Sequence, residues 1–160
     1  MDSASWLALG VFVAVNFAAA SSGAVFKPGA WYANLRKPGW IPPNWAFPAV
    51  WSVLFCMNAA AGWLVWETAG AQAAPALAVY GVSLVLNAAW SLLFFGLRRM
   101  DWALAEVGVF WLSLAAVIAA FAPIRPLAAL LLLPYLAWVS IAALLNLRML
   151  QLNRPEPAAA

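Results

Sequence analysis

The 160-residue chain has no histidine, one cysteine and little charge: eight Lys and Arg against five Asp and Glu, 8% of the residues. Each scarcity removes a class of function. Without His there is no imidazole general base, no His-bound metal and no His-ligated haem. The one thiol, Cys56, cannot form an intrachain disulfide. A soluble domain carries roughly a quarter charged residues. This chain has too little polar surface to cover a water-soluble globule, which excludes a soluble enzyme domain, a disordered chain and a nucleic-acid reader. What it has instead is 68% hydrophobic residues and 11 Trp. The class left is an integral membrane protein.

Charge divides the chain into apolar runs, each able to hold the ~20 residues that cross a bilayer as a helix. They predict an all-α bundle of five transmembrane helices forming a single domain over residues 1–160. The spans fall at about 5–26, 44–66, 75–97, 102–122 and 127–148, with a loop at 27–43 and a short tail at 149–160. Asn44 or Trp45 suits the start of the second span, because Asn is a good N-cap and the preceding Pro38 to Pro43 segment is too Pro-rich for helix. The first segment imitates a signal peptide, but its start holds Asp2 and no Lys or Arg, so it reads as a retained helix.

Five spans place the termini on opposite sides. Lys27, Arg36, Lys37, Arg98, Arg99, Arg148 and Arg154 all fall on one side, and Arg125 alone on the other. The positive-inside bias then predicts a cytoplasmic C-terminus and an outside N-terminus, for insertion into an energised inner membrane.

The 27–43 loop is long for a helical protein and holds Trp31, Tyr32 and Trp40, with Trp45 at its end. Proline at 28, 38, 42 and 43 restricts φ, so the loop can keep a shape without secondary structure. Two readings stand: an interfacial aromatic belt, or an ordered lid over the mouth of the bundle. At helical spacing, Phe47, Trp51, Phe55 and Asn58 share one face of the second span. Ser83, Asn87, Trp90 and Phe94 do so on the third, and Tyr135, Trp138, Ala142 and Leu145 on the fifth. Each stripe mixes aromatics with a polar or small residue. They read either as ordinary helix packing or as the walls of an apolar pocket with a few orienting polar groups. Ala74, Ala78, Gly81 and Ala88 form a small-residue face that suits a dimer seam or close packing within the monomer. Glu106 is the one carboxylate inside a span; it is either functional or paired near Arg98 and Arg99 at the interface.

Several of these residues also form an ordered set of motifs. They are Trp31-Tyr32-x-x-Leu35-x-Lys37-Pro38-x-Trp40-x-Pro42-Pro43-x-Trp45-x-Phe47-x-x-x-Trp51, then Leu86-Asn87-x-x-Trp90, Phe94-Phe95-Gly96, Trp102-Ala103-Leu104, Pro134-Tyr135-Leu136-x-Trp138 and Leu145-Asn146. This set resembles the TspO/MBR family, the bacterial tryptophan-rich sensory proteins related to the mitochondrial translocator protein. The resemblance spans essentially the whole chain. It implies a membrane receptor or transporter, a homodimer, and protoporphyrin IX or a related tetrapyrrole as the ligand, with no required cofactor, metal or catalytic residue. The ligand would contact Trp31, Tyr32, Trp40, Pro42, Pro43, Trp45, Phe47, Trp51, Phe55, Asn87, Trp90, Phe94, Trp138, Ala142 and Leu145. Arg36 and Lys37 are placed as rim cations for its propionates. Sterol is the weaker candidate, since no Tyr follows Leu145-Asn146 where eukaryotic members carry a cholesterol-recognition motif, itself a weak pattern. Ile41 and Asn44 stand where those members often have His and Arg. The chain reads as a bacterial member of an inner membrane, the family also offering outer-membrane exceptions. Two alternatives remain: a Trp-dependent porphyrin-degrading enzyme, and a proton-coupled transporter using Glu106.

Overall fold

The computed structural model describes residues 2–154, whose regular elements are all helical with no strand among them. Helix α1 (Ser3–Val25) starts where the Asp2 carboxylate accepts from the Ser5 N–H at 2.9 Å. A single turn, α2 (Ala30–Ala33), lies within the first loop. Helix α3 (Ala46–Ala69), a 3-10 turn at Gly70–Ala73, helix α4 (Ala74–Ser91) and a π-turn at Leu92–Gly96 follow without interruption. Helices α5 (Met100–Phe121) and α6 (Pro126–Leu152) complete the chain.

Four continuous helical stretches are long and apolar enough to cross a membrane, and one of them, Ala46–Gly96, runs 51 residues. That is more than two crossings' worth at about 20 residues each. Gly70 divides it at φ +52, a left-handed conformation that glycine adopts without a Cβ penalty. The chain reverses there, so Gly62 of α3 lies against Tyr80 of α4. The result is five spans.

The spans close into a ring. Helix α1 packs on α3 and α4, α3 also on α6, and α5 on both α4 and α6. Consecutive helices α3 and α4 are therefore not neighbours along their lengths; α1 sits between them. A polar knot fixes α1 in that place. The Asn16 amide donates to the Tyr80 hydroxyl and to Phe12 O, Asn58 Nδ2 donates to Asn16 Oδ1 at 2.8 Å, and the Tyr80 hydroxyl donates to Asn58 O at 3.2 Å. Interhelical bonds of this kind are worth roughly 0.6–2 kcal/mol each in a bilayer. Gly62 permits the close approach, since a Cβ there would lie 2.7 Å from the Phe12 ring.

Several boundaries differ from the sequence expectation. Asn44 does not cap α3; the preceding residue is Trp45, already helical in φ and ψ, and the Ala46 N–H bonds Pro43 O at 2.9 Å. The third span ends its α-helical part at Ser91, because the Leu92–Gly96 turn widens to i→i+5 bonding. Helix α6 runs on to Leu152, four residues into the expected tail, where the Asn153 side chain donates to Met149 O at 2.8 Å and stops it. The last six residues of that tail, 155–160, lie outside the described residues.

Candidate ligand-binding site

Loop 1, the α4–α5 turn and the end of α6 gather at one end of the bundle. The Arg36 N–H donates to Asn153 Oδ1 and Asn153 Nδ2 returns a bond to Arg36 O, both at 2.9 Å. This two-way latch between residues 117 apart pins the loop to the far end of the chain. The seven cations assigned to one side by sequence are thus carried by segments that meet in space, and Arg125 lies at the start of α6, at the other end.

The lid is a short helix standing on aromatic rings. Trp31 and Tyr32 of α2 meet Phe94 edge-on at 6.0 and 6.4 Å, and Tyr32 meets Phe95 at 5.5 Å. Trp90 lies stacked on Phe94 at 5.0 Å. Such pairs add roughly 0.5–1.5 kcal/mol beyond the area they bury. Lys37 Nζ sits 4.7 Å from the Tyr32 ring centroid and donates to Ala33 O at 3.0 Å, near the C-terminal end of α2 where a cation is favourable. Burial pushes the Tyr32 hydroxyl above its ordinary pKa. The loop therefore divides. Trp31 and Tyr32 are half-buried over the bundle, whereas Trp40 is 50% and Trp45 72% exposed. Pro43 is exposed and Pro42 half-buried. Of these four aromatic rings, Trp31 and Tyr32 pack on the bundle and Trp40 and Trp45 stand largely clear of it.

Deeper in, the stripes of α3, α4 and α6 converge on Tyr135, which is 2% exposed. Trp51 meets its ring at 5.7 Å and 88°, Phe55 at 6.4 Å and Phe110 at 5.9 Å. Asn87 Nδ2 donates to its hydroxyl at 2.8 Å. Phe47 packs edge-on against Trp138 at 5.8 Å. Leu145 is buried and Ala142 half-buried on the Trp138 face of α6. Phe110 of α5 was not foreseen. It lies on a span whose aromatic residues formed no polar-aromatic stripe.

The polar inventory is unusual for a bilayer interior, where an unpaired polar group costs several kcal/mol. The indole Nε1 atoms of Trp90 and Trp138 are buried without a hydrogen-bond partner, as are both carboxylate oxygens of Glu106. Trp63 shares this property, so an unpaired indole does not by itself mark a site. By contrast Trp111 donates to Ser140 Oγ at 2.9 Å. Glu106 does not pair with Arg98 or Arg99, contrary to one of its two expected roles. Arg99 is held by Asp101 through bonds of 2.9 and 2.6 Å and lies over the Trp102 ring, in the one ion pair among the described residues.

Asn146 explains the Leu145-Asn146 motif. With its amide turned to suit its neighbours, it donates to Met100 O at 3.2 Å and accepts from Leu104 N–H at 2.9 Å. From within α6 it thereby bridges Met100 O and Leu104 N–H, the two ends of one i→i+4 backbone pair at the start of α5.

Two cavities flank this interior. One, of about 510 Å³, opens on the outside of the bundle between α3 and α6, with Val50, Leu54, Pro134 and Trp138 in its walls. The other, of about 350 Å³, is a surface pocket between the start of loop 1 and the α4–α5 turn. Ala74 and Ala78 are exposed, Gly81 and Ala88 half-buried, and a Cβ placed on Gly81 would meet nothing within 4 Å. This small-residue face is not consumed by packing inside the monomer.

The ring of five apolar spans and its aromatic interior define a polytopic helical membrane protein. Comparison with known proteins specifies it further. The TspO/MBR family profile matches residues 8–152, and the chain belongs to that family. It is 41% identical over 156 residues to the tryptophan-rich sensory protein of Cereibacter sphaeroides, covering 96% of this chain and 98% of that one. It is 37% identical over 140 residues to protein CrtK of Rhodobacter capsulatus, covering 86% and 88%. The translocator protein of Ovis aries is 41% identical over 127 residues, covering 78% and 75%.

Proposed function

We propose that this protein is a membrane receptor or carrier that binds a flat hydrophobic ligand, a tetrapyrrole such as protoporphyrin IX, in the aromatic interior beneath the lid. The supporting observation is the convergence of three helices on Tyr135, with the Trp90 and Trp138 indole donors buried and unpaired. A planar ligand offers a π-face to the rings and acceptor atoms to those donors, and so supplies what the site lacks. The names of the relatives, sensory and translocator proteins, agree with a receptor or transport role. A sterol has no π-face and matches the site less well.

The test is Trp fluorescence quenching by protoporphyrin IX. Trp138→Phe keeps an aromatic ring and removes the Nε1 donor; Trp51→Ala removes a ring from Tyr135. Quenching-derived affinity should fall at least about tenfold in one of them. Unchanged affinity in both would sink this site assignment.

The cationic end faces the cytoplasm on this reading, because the positive-inside bias applies to short loops of the kind that carry Lys27, Arg36, Lys37, Arg98 and Arg99. The open face around Gly81 serves as the seam of a homodimer. Gly81→Leu should weaken self-association, read by crosslinking. A second reading rests on Glu106. Its carboxylate oxygens are buried and unpaired, which suits a proton carrier coupled to ligand movement. Ligand flux unaltered in Glu106→Gln would remove that role.

A further inference from the structure

Of the two rim cations expected from sequence, Lys37 turns back onto the loop itself, and neither borders the cavity beside it. Lys37 closes the lid helix and covers Tyr32, and Arg36 acts through its backbone on Asn153. A different pair lines a cavity. Lys27, at the end of the first span, and Arg98, in the α4–α5 turn, border the 350 Å³ surface pocket beside loop 1, together with Asn34, Trp31 and Phe95. Neither cation has an ion-pair partner among the described residues, while the adjacent Arg99 is neutralised by Asp101. The cavity thus joins two free cations and one amide to two aromatic rings.

Arg98 adds a second, independent observation. Its φ is +56, the left-handed conformation at the end of the α4 helical run, where glycine is the usual residue. The Arg99 N–H bonds back to Leu93 O at 2.9 Å and holds this turn closed. A non-glycine residue in that conformation is strained, and such strain gathers at ligand clamps. Arginine therefore stands where backbone energetics favour glycine, and its side chain borders the cavity.

The geometry points to an anion-binding site at Lys27 and Arg98 for the carboxylate or phosphate of an amphiphile whose apolar part lies on Trp31 and Phe95. The guanidinium matches an oxyacid through paired N–H donors, and Lys27 adds a point charge. Two sources carry this chemistry: the propionates of a tetrapyrrole, and the phosphate of an anionic phospholipid at the membrane surface. The first source rests on the function proposed above; the second does not.

The experiment uses the full chain in phosphatidylcholine nanodiscs. Protoporphyrin IX and its dimethyl ester are titrated by Trp quenching, and a parallel preparation containing phosphatidylglycerol is examined for retained lipid by native mass spectrometry. Variants are Arg98→Gly and Lys27→Gln. If the site takes the ligand's carboxylates, wild type prefers the diacid by roughly tenfold. Both variants lose that preference, and the ester binds them as it binds wild type. If it takes a lipid headgroup, wild type retains phosphatidylglycerol and Arg98→Gly does not. In either case Arg98→Gly melts at the same temperature as wild type or higher, because the strain is relieved. A purely structural Arg98 predicts the opposite sign. Variants that keep both diacid preference and lipid retention overturn the proposal, as does a wild type showing neither. Ester binding that persists in that case leaves the aromatic pocket standing. Failure of both porphyrins in wild type with lipid retained overturns the pocket and keeps the anion site.

Discussion

Tyr80 and Tyr135 occupy two regions built from the same parts. Each ring is buried among aromatics, Tyr80 stacked on Phe121 at 5.9 Å and edge-on to Phe12, Tyr135 ringed by Trp51, Phe55 and Phe110. Each hydroxyl meets an asparagine amide. They differ in what is left over. Around Tyr80 the polar atoms close on one another across α1, α3 and α4, with Asn58 Oδ1 alone unpaired. Towards the lid and α6, indole donors are buried without partners, two cavities adjoin, and the cover is one turn of helix. A polar cluster bonded across three helices fastens them; the indole donors left open in an apolar setting are those the proposed ligand would meet. The same residue types therefore sit in two settings: side-chain hydrogen bonds tie three helices at Tyr80 and two at Tyr135.

Substitutions can break this comparison, and the largest effect should come from the knot. Asn16→Ala strips the partners of Tyr80 and Asn58 and should lower stability by about 2–3 kcal/mol in detergent unfolding. Porphyrin affinity should stay within about twofold. An affinity loss matching the stability loss would mean that the two regions are one unit. Gly62→Leu should act on the same side, at about 1–3 kcal/mol, by driving a side chain into Phe12 and Tyr80. Tyr135→Phe should cost about 1–2 kcal/mol, because it leaves the Asn87 amide unpaired, and should also shift ligand affinity. No change in binding would place Tyr135 with the fastening elements.

The smaller effects concern the cover. Lys37→Ala removes an exposed cation–π contact and should lower stability by about 0.5–1 kcal/mol, with a change in Trp31 environment visible by near-UV circular dichroism. Tyr32 titrates above its ordinary value of about 10 because burial disfavours the phenolate. Its contribution is thus complete below the unfolded value and is lost as pH rises through the folded one. Loosening of the lid above about pH 10, followed by Trp fluorescence, should be absent in Tyr32→Phe. An identical transition in that variant would assign it elsewhere.

Much of this was legible in advance. The five spans follow from charge-free runs, and the aromatic faces from helical spacing, because a bilayer demands helices and the 3.6-residue period puts Phe47, Trp51 and Phe55 on one side. Trp40 and Trp45 were not separable from Trp31 and Tyr32 by sequence. All four lie in one Pro-rich loop, and only the short α2 turn, seated on Phe94 and Phe95, decides which rings face inward. Arg36 and Lys37 are placed at the rim by proximity to the aromatics; Lys37 folds back on Tyr32 and Ala33 O, while Arg36 is held through its backbone alone. Lys27 and Arg98 are 71 positions apart in the chain, and nothing in their local sequence pairs them.

By itself the sequence determined the solvent of this protein, the number of crossings, the side on which its cations collect and the family to which it belongs. These depend on local composition, periodicity and short motifs. The ring order, with α1 between α3 and α4, was decided only by tertiary structure, as were the closure of the Asn16–Tyr80–Asn58 knot, the latch from Arg36 to Asn153 and the joining of Lys27 to Arg98. Each is a contact between residues remote in the chain, and apolar helices of similar composition do not specify which neighbour they take. The choice falls to the few buried polar groups and close glycine contacts, and these acquire meaning only when their partners are in place.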